Sequence, residues 1–163
     1  MIPQLLTTQQ GQVLIAQVER FDLLQQLFGG IYIPQAVYDE AVVKGREEGG
    51  AKREVSTATW IKTVSVKDRL AVDVLLDEMD LGEAETIVLA REMGAEWVLM
   101  DEKKGRRKLT QMGINKIGTL GILLKAKQAR LLTAIRPEIE KLRQQGFSIS
   151  HDVMGAVLQQ ANE

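Results

Sequence analysis

The sequence predicts an α/β fold organised on a mainly parallel sheet. Short apolar runs such as "IYI" and "EWVLM" are bounded by turn residues, as buried strands are. Segments with helical spacing alternate with them, and Gly, Pro and polar clusters mark the joints. In such sheets ligands bind beyond the carboxyl ends of the strands, near the reversal of strand order.

The elements follow in order. "QVLIAQVERFDLLQQLFGG" places apolar residues at 13, 14, 15, 18, 21, 24, 27 and 28 and closes on Gly29-Gly30, the pattern of a helix. "IYIPQAVYDEAVVKG" starts as a strand and turns helical at Pro34, which suits a first turn. "GREEGGAKRE" is a polar loop, and "TWIKTVSV" alternates as a strand does. "DRLAVDVLLDEM" and "GEAETIVLAREMG" are helical, separated by Asp80-Leu81-Gly82. "EWVLM" is a buried strand, "EKKGRRKLTQMG" a short helix and "NKIG" a short strand. "TLGILLKAKQARLL", "RPEIEKLRQQG" and "SHDVMGAVLQQAN" complete a helical C-terminal part from about residue 119, within a single domain spanning 1–163.

Composition narrows the chemistry. Hydrophobic residues at 45% and charged residues at 26% are those of a soluble globular domain. No apolar run is long enough to span a bilayer, and no signal pattern opens the chain, so no membrane role is expected. Zero cysteines fit a reducing cytoplasm. They also exclude thiol nucleophiles, and the lone His151 excludes Cys/His zinc sites and paired imidazoles. His151 itself lies at a helix start, with Ser150 or Asp152 near the cap. Chemistry is left to carboxylates, hydroxyls and cations. Residues 1–100 carry a net −7 and residues 101–163 a net +6, a polarity that suits either a phosphate-binding face or two halves docked on each other.

Four acids stand out. Asp101 and Glu102 follow "WVLM" and precede the cations Lys103, Lys104, Arg106, Arg107 and Lys108. Asp101 reads as a helix N-cap or as a ligand at a strand end. Glu83 completes a capping box with Asp80 in "DLGE". Glu40 borders the apolar stripe of its helix, where a glutamate is ordinarily a solvated flank; Glu85 cannot share a face with Glu83. Taken together, acids on separate elements at one end of a sheet repel unless a cation joins them. Oxygen donors select Mg²⁺ or Mn²⁺, and such ions assist phosphodiester hydrolysis.

"LFGGIYIPQAVYDEAV", "LGEAETIVLARE", "VLMDEKKGRR" and "IGTLGILLKAKQARLL" resemble successive motifs of a prokaryotic branch of PIN-domain proteins. The likeness runs from about residue 13 almost to the C-terminus and keeps the motif order. It implies an α/β/α sandwich with a central parallel sheet and Mg²⁺- or Mn²⁺-dependent cleavage of RNA. Such proteins are commonly the toxin half of a toxin–antitoxin pair, so a small antitoxin partner and a homo-oligomer are both expectations it brings. Carried over residue by residue, the second family acid falls on Glu40, the third on Glu83 and the fourth on Asp101, with Glu102 adjacent. Lys103, Arg106 and Arg107 become candidate RNA-phosphate contacts, with a solvated helix face as the other reading. The first family acid falls on Thr8, whose neutral hydroxyl is a much weaker metal ligand, and Glu19 inside the first helical pattern is a poor replacement. The implied enzyme is therefore either a ribonuclease with weakened metal affinity or a module that binds RNA or a protein without hydrolysing anything.

Overall fold

A computed structural model describes residues 5–7, 20–43 and 52–163. Five strands are described: β1 (Leu5–Thr7), β2 (Ile31–Pro34), β3 (Ile61–Val64), β4 (Trp97–Leu99) and β5 (Lys116–Ile117). They form one sheet in the order β3-β2-β1-β4-β5, and every pairing is parallel. The described helices are α1 (Asp22–Phe28), α2 (Gln35–Tyr38), α3 (Lys52–Thr57), α4 (Arg69–Leu75), α5 (Leu81–Met93), α6 (Lys103–Gln111), α7 (Thr119–Gln128), α8 (Arg136–Gln144) and α9 (His151–Gln160). A π-helical turn, Asp39–Val43, continues α2.

The sheet is apolar on both faces, as a parallel sheet with helices on each side has to be. Leu5, Ile31, Ile33 and Leu99 pack with Leu24 and Phe28 of α1 and Ile122 of α7. Leu6, Val98 and Met100 pack on the opposite face with Val72 of α4, Ala84, Ile87 and Val88 of α5, and Leu109 of α6. Alternate residues of one short strand thus serve two cores, the period-two consequence of the pleat. A third cluster joins Leu23 and Leu123 to Ile135, Ile139, Leu142 and Leu158, so α8 and α9 cover the outer side of α1 and α7. The result is the α/β/α sandwich that the resemblance implied.

Local signals explain most boundaries. The "DLGE" capping box is fully formed: Glu83 N–H donates to Asp80 Oδ1 at 2.8 Å, and Asp80 N–H to Glu83 Oε2 at 3.3 Å. Gly94 ends α5 with φ +62°, a left-handed cap that suits a residue without Cβ. Ser150 caps α9 by accepting from Val153 N–H at 3.2 Å, leaving His151 exposed at the helix start. Two expectations need correction. Pro34 is not in a first turn but closes β2 and stands as the N-cap of α2. The polar stretch 45–54 is not all loop, because Lys52 opens α3; residues 44–51 lie outside the described set.

Topology fixes where a site can form. The chain steps outward from β1 to β2 and β3, then returns to place β4 on the other side of β1. Strand order reverses between β1 and β4, whose carboxyl ends, Thr7 and Leu99, lie side by side in register. A crevice opens at such a reversal because the connections leave in opposite directions.

Candidate active site

Asp101 emerges from β4 at this reversal. It does not cap the helix that follows: Glu102 does, with its Oε2 accepting from Gly105 N–H at 2.8 Å. Asp101 is instead held by the start of α7. Thr119 N–H donates to Oδ1 at 2.9 Å, and the Thr119 hydroxyl donates to Oδ2 at 2.7 Å. Thr119 is fully buried, so the carboxylate is gripped by a residue with no freedom to move away. A Cβ at Gly118 would lie 3.0 Å from Asp101 Oδ1 and 3.3 Å from Arg106 Nη1. The glycine of "GTLG" therefore makes room for a carboxylate and a guanidinium, and no phosphate loop is involved. Arg106 donates from Nη1 to the Met100 carbonyl at 2.8 Å, which fastens α6 to the end of β4.

Glu83 and Glu102 both serve as helix-terminal groups, and they sense one another. Burial pushes the Glu83 carboxyl above its usual range, and the nearby Asp80 and Glu102 charges add to that. The Asp80 N–H bond and the Lys104 charge oppose the shift. Crowded carboxylates of this kind are relieved by a cation.

Glu40 sits on the π-helical turn, half buried. Such turns re-aim a side chain by inserting one residue into the helix. Its carboxylate lies against the first turn of α5: a Cβ at Gly82 would be 2.9 Å from both Glu40 oxygens. One turn further along α5, Glu85 Oε1 accepts from Ala36 N–H at 2.9 Å, and Oε2 pairs with Arg69 at 2.7 Å. Pro34, the N-cap of α2, supplies no side-chain cap, so the buried Glu85 performs that task from another helix. Glu85 ties the α2–π segment to α5, and Gly82 leaves the clearance in which the Glu40 carboxylate lies beside the Glu83 turn.

The acids expected at the site thus all stand on elements that follow strands or open helices at the carboxyl edge. Glu40 is adjacent to the Glu83 turn, and Glu83 is electrostatically coupled to Glu102, the neighbour of Asp101. They fit a hard divalent ion in kind, since oxygen is the available donor. In number they fall short: among the described residues no group of three or more Asp, Glu, His or Cys side chains is gathered closely enough to hold a metal. Mg²⁺ tolerates this better than most ions, because it keeps several waters and binds through one or two carboxylates plus substrate phosphate. Thr8 and Glu19 lie outside the described residues.

The expected phosphate contacts divide. Lys103 and Arg107 are exposed, whereas Arg106 is half buried and committed to Met100. The contacts of Thr119, Gly82 and Glu85 with the site's acids and helices were not legible in the sequence, although Gly82 marked a helix joint and Glu85 was set apart from the face of Glu83. A Gly-Thr pair opening an apolar helix and the acid two places after the capping box were visible signals, but neither named its distant partner.

A family model described as a PIN domain matches residues 13–163. No curated protein matches the chain. The matched region contains β2 to β5, every described helix and each acid discussed above. With the all-parallel five-stranded sheet and acids at its carboxyl edge, the chain belongs to the PIN-domain family.

Proposed function

We propose that the chain is a PIN-type endoribonuclease that uses Mg²⁺ or Mn²⁺, with an activity weakened by the threonine at position 8. The observation that carries this reading is Asp101, fixed through both oxygens at the reversal of strand order, with the Glu83–Glu102 carboxylates nearby. Glu40, Glu83 and Asp101, with Glu102 beside them, are the acids that would offer the ion one or two carboxylates, water and substrate phosphate filling its other positions. When bound, a divalent ion makes a water more acidic and stabilises the departing oxygen of a phosphodiester. Thr119 keeps Asp101 aimed, Gly82 leaves the space that Glu40 occupies, and Lys103 and Arg107 draw in phosphates. Three acids repel and hold a divalent ion less firmly than four, so slow turnover is expected.

The test couples calorimetry to RNA cleavage. Mn²⁺ should raise the melting temperature, because a ligand that binds the folded state alone stabilises it. Asp101→Asn should abolish both that rise and the slow cleavage, and Thr8→Asp should increase both. An unchanged response in Asp101→Asn removes Asp101 from the site. Robust cleavage by the unaltered chain removes the weakened-site idea. On the same reading the protein is a toxin neutralised by a small antitoxin; growth arrest on expression, relieved by Asp101→Asn, is the corresponding observation in cells.

A second reading is favoured by the absence of a three-acid group among the described residues. It makes the chain a degenerate PIN module that binds RNA or a protein partner without hydrolysis. Salt-sensitive RNA binding with no cleavage, even in Thr8→Asp, is its signature.

A further inference from the structure

Helix α4 leaves part of its apolar surface outside the core. Val72 is fully buried and Ala71 and Leu75 are half buried, yet Leu70 and Val74 are 74% and 65% exposed. At ~100° per residue, Leu70, Asp73 and Val74 share one outward face. Beside this ridge runs a groove of about 520 Å³, lined by Ala71, Leu75, Val88, Arg91 and Met112 together with the ridge itself. Adjacent exposed aliphatic side chains beside an apolar groove mark a surface meant to be covered.

The surrounding charge says by what. Asp68 and Glu92 also line the groove, Asp73 lies on the ridge and Asp77 follows it. Asp68 accepts from Ala71 N–H at 3.1 Å and Glu92 from Lys67 N–H at 2.9 Å, so both carboxylates are pinned where they stand. Arg91 also lines the groove and Lys67 stands beside it, both exposed, but the carboxylates Asp68, Asp73, Asp77 and Glu92 outnumber them. The other nearby cations are drawn elsewhere, Arg69 to Glu85 and Lys108 to Glu78 at 3.5 Å. A second copy docked about a two-fold axis would bring this acid-bearing ridge against itself, which costs like-charge repulsion. A basic partner gains instead.

We propose that the α4 groove is the docking site for a basic amphipathic helix of a protein partner. Its apolar residues, spaced i and i+4, would pack over Leu70 and Val74, and its flanking Lys or Arg would meet Asp68, Asp73 and Glu92. The groove lies at the Arg91–Glu92 end of α5, whereas Gly82 and Glu83 open the same helix. Nine residues of helix separate the two ends by about 13 Å. A partner seated here leaves the candidate active site uncovered, so the inference stands independently of catalysis.

The probe is a synthetic amphipathic helix with leucines at i, i+4 and i+7 and lysine flanks, labelled for fluorescence anisotropy and compared with its glutamate-flanked counterpart. The lysine peptide should bind, weaken with salt, and lose at least about tenfold in affinity to Leu70→Arg and Val74→Arg proteins. These positions are exposed, and an unchanged melting temperature checks that both variants fold. Absent binding, equal binding of the two peptides, or binding indifferent to the variants overturns the proposal. So does a wild-type dimer in sedimentation that the same variants dissociate, because a second copy would then be the occupant.

Discussion

Gly82→Ala separates the geometry of the candidate site from the stability of the fold. In the first turn of α5 the new methyl favours the helix by about 0.5–1 kcal/mol, since glycine loses more backbone freedom than alanine. Against this, the Cβ would stand 2.9 Å from both Glu40 oxygens and 3.2 Å from its carboxyl carbon. Comfortable contact needs roughly 3.5 Å, so the carboxylate has to withdraw by about 0.6 Å or change rotamer. A displaced rotamer costs about 0.5–1.5 kcal/mol, which nearly cancels the helical gain. The melting temperature should therefore move by no more than about 2–4 °C. Function should suffer more, because ligating groups have to be held to within about 0.5 Å. Calorimetry with and without Mn²⁺, together with RNA cleavage, reads the two effects apart, in the unaltered chain and in the Thr8→Asp background. Gly155→Ala is the control: its Cβ meets nothing within 4 Å in the middle of α9, so it should stabilise without touching the site. A Mn²⁺ response in Gly82→Ala equal to that of the parent would refute the claim that Glu40 depends on the clearance at Gly82.

Four further outcomes are expected. Glu85→Ala should cost about 2 kcal/mol by stranding the buried Ala36 N–H, with the half-exposed Arg69 released to water, whereas Glu85→Gln, which keeps an acceptor, should cost about 1 kcal/mol; chemical denaturation distinguishes them. Thr119→Val keeps shape but deletes the 2.7 Å hydroxyl bond to Asp101, so it should lose about 1–2 kcal/mol and weaken the Mn²⁺ response. Glu163, held below its usual carboxylate range chiefly by the Ile135 N–H and then by Lys127 and Arg136, contributes stability that is present above the unfolded value and lost as pH falls through the folded one. Glu163→Gln should thus be less stable near pH 7 by about 1 kcal/mol, and the difference should vanish in acid as melting curves are repeated downward in pH. Replacing Lys103 and Arg107 with glutamine should flatten the salt dependence of RNA binding by about 1.4 in log–log slope, whereas Arg106→Gln should act mainly on stability.

Sequence by itself determined the order of the strands and helices from Ile31 onward except α3, without marking β1 at the centre of the sheet, and it determined the capping box at Asp80–Glu83 and the strand end that delivers Asp101. These are local matters: burial on a pleated strand repeats every second residue, and a helix start is written within four positions. It also determined which chemistry was available, because oxygen donors and cations remain when cysteine is absent and histidine is single. Tertiary structure decided what each acid touches. Asp101 read either as a cap for its own helix or as a ligand at a strand end; Thr119, eighteen residues away, takes both its oxygens, and Glu102 does the capping. From its own helix Glu40 read as a solvated flank, and from the resemblance as a family acid; the π turn lays it against Gly82. Glu85, dismissed for facing away from Glu83, caps a helix 49 positions earlier. Partner identity depends on which elements the sheet brings together, and no periodicity along the chain encodes that. The exposure of Leu70 and Val74 has the same origin: the helical pattern of α4 is apolar on more than one face, and packing against α5 chooses which face stays outside.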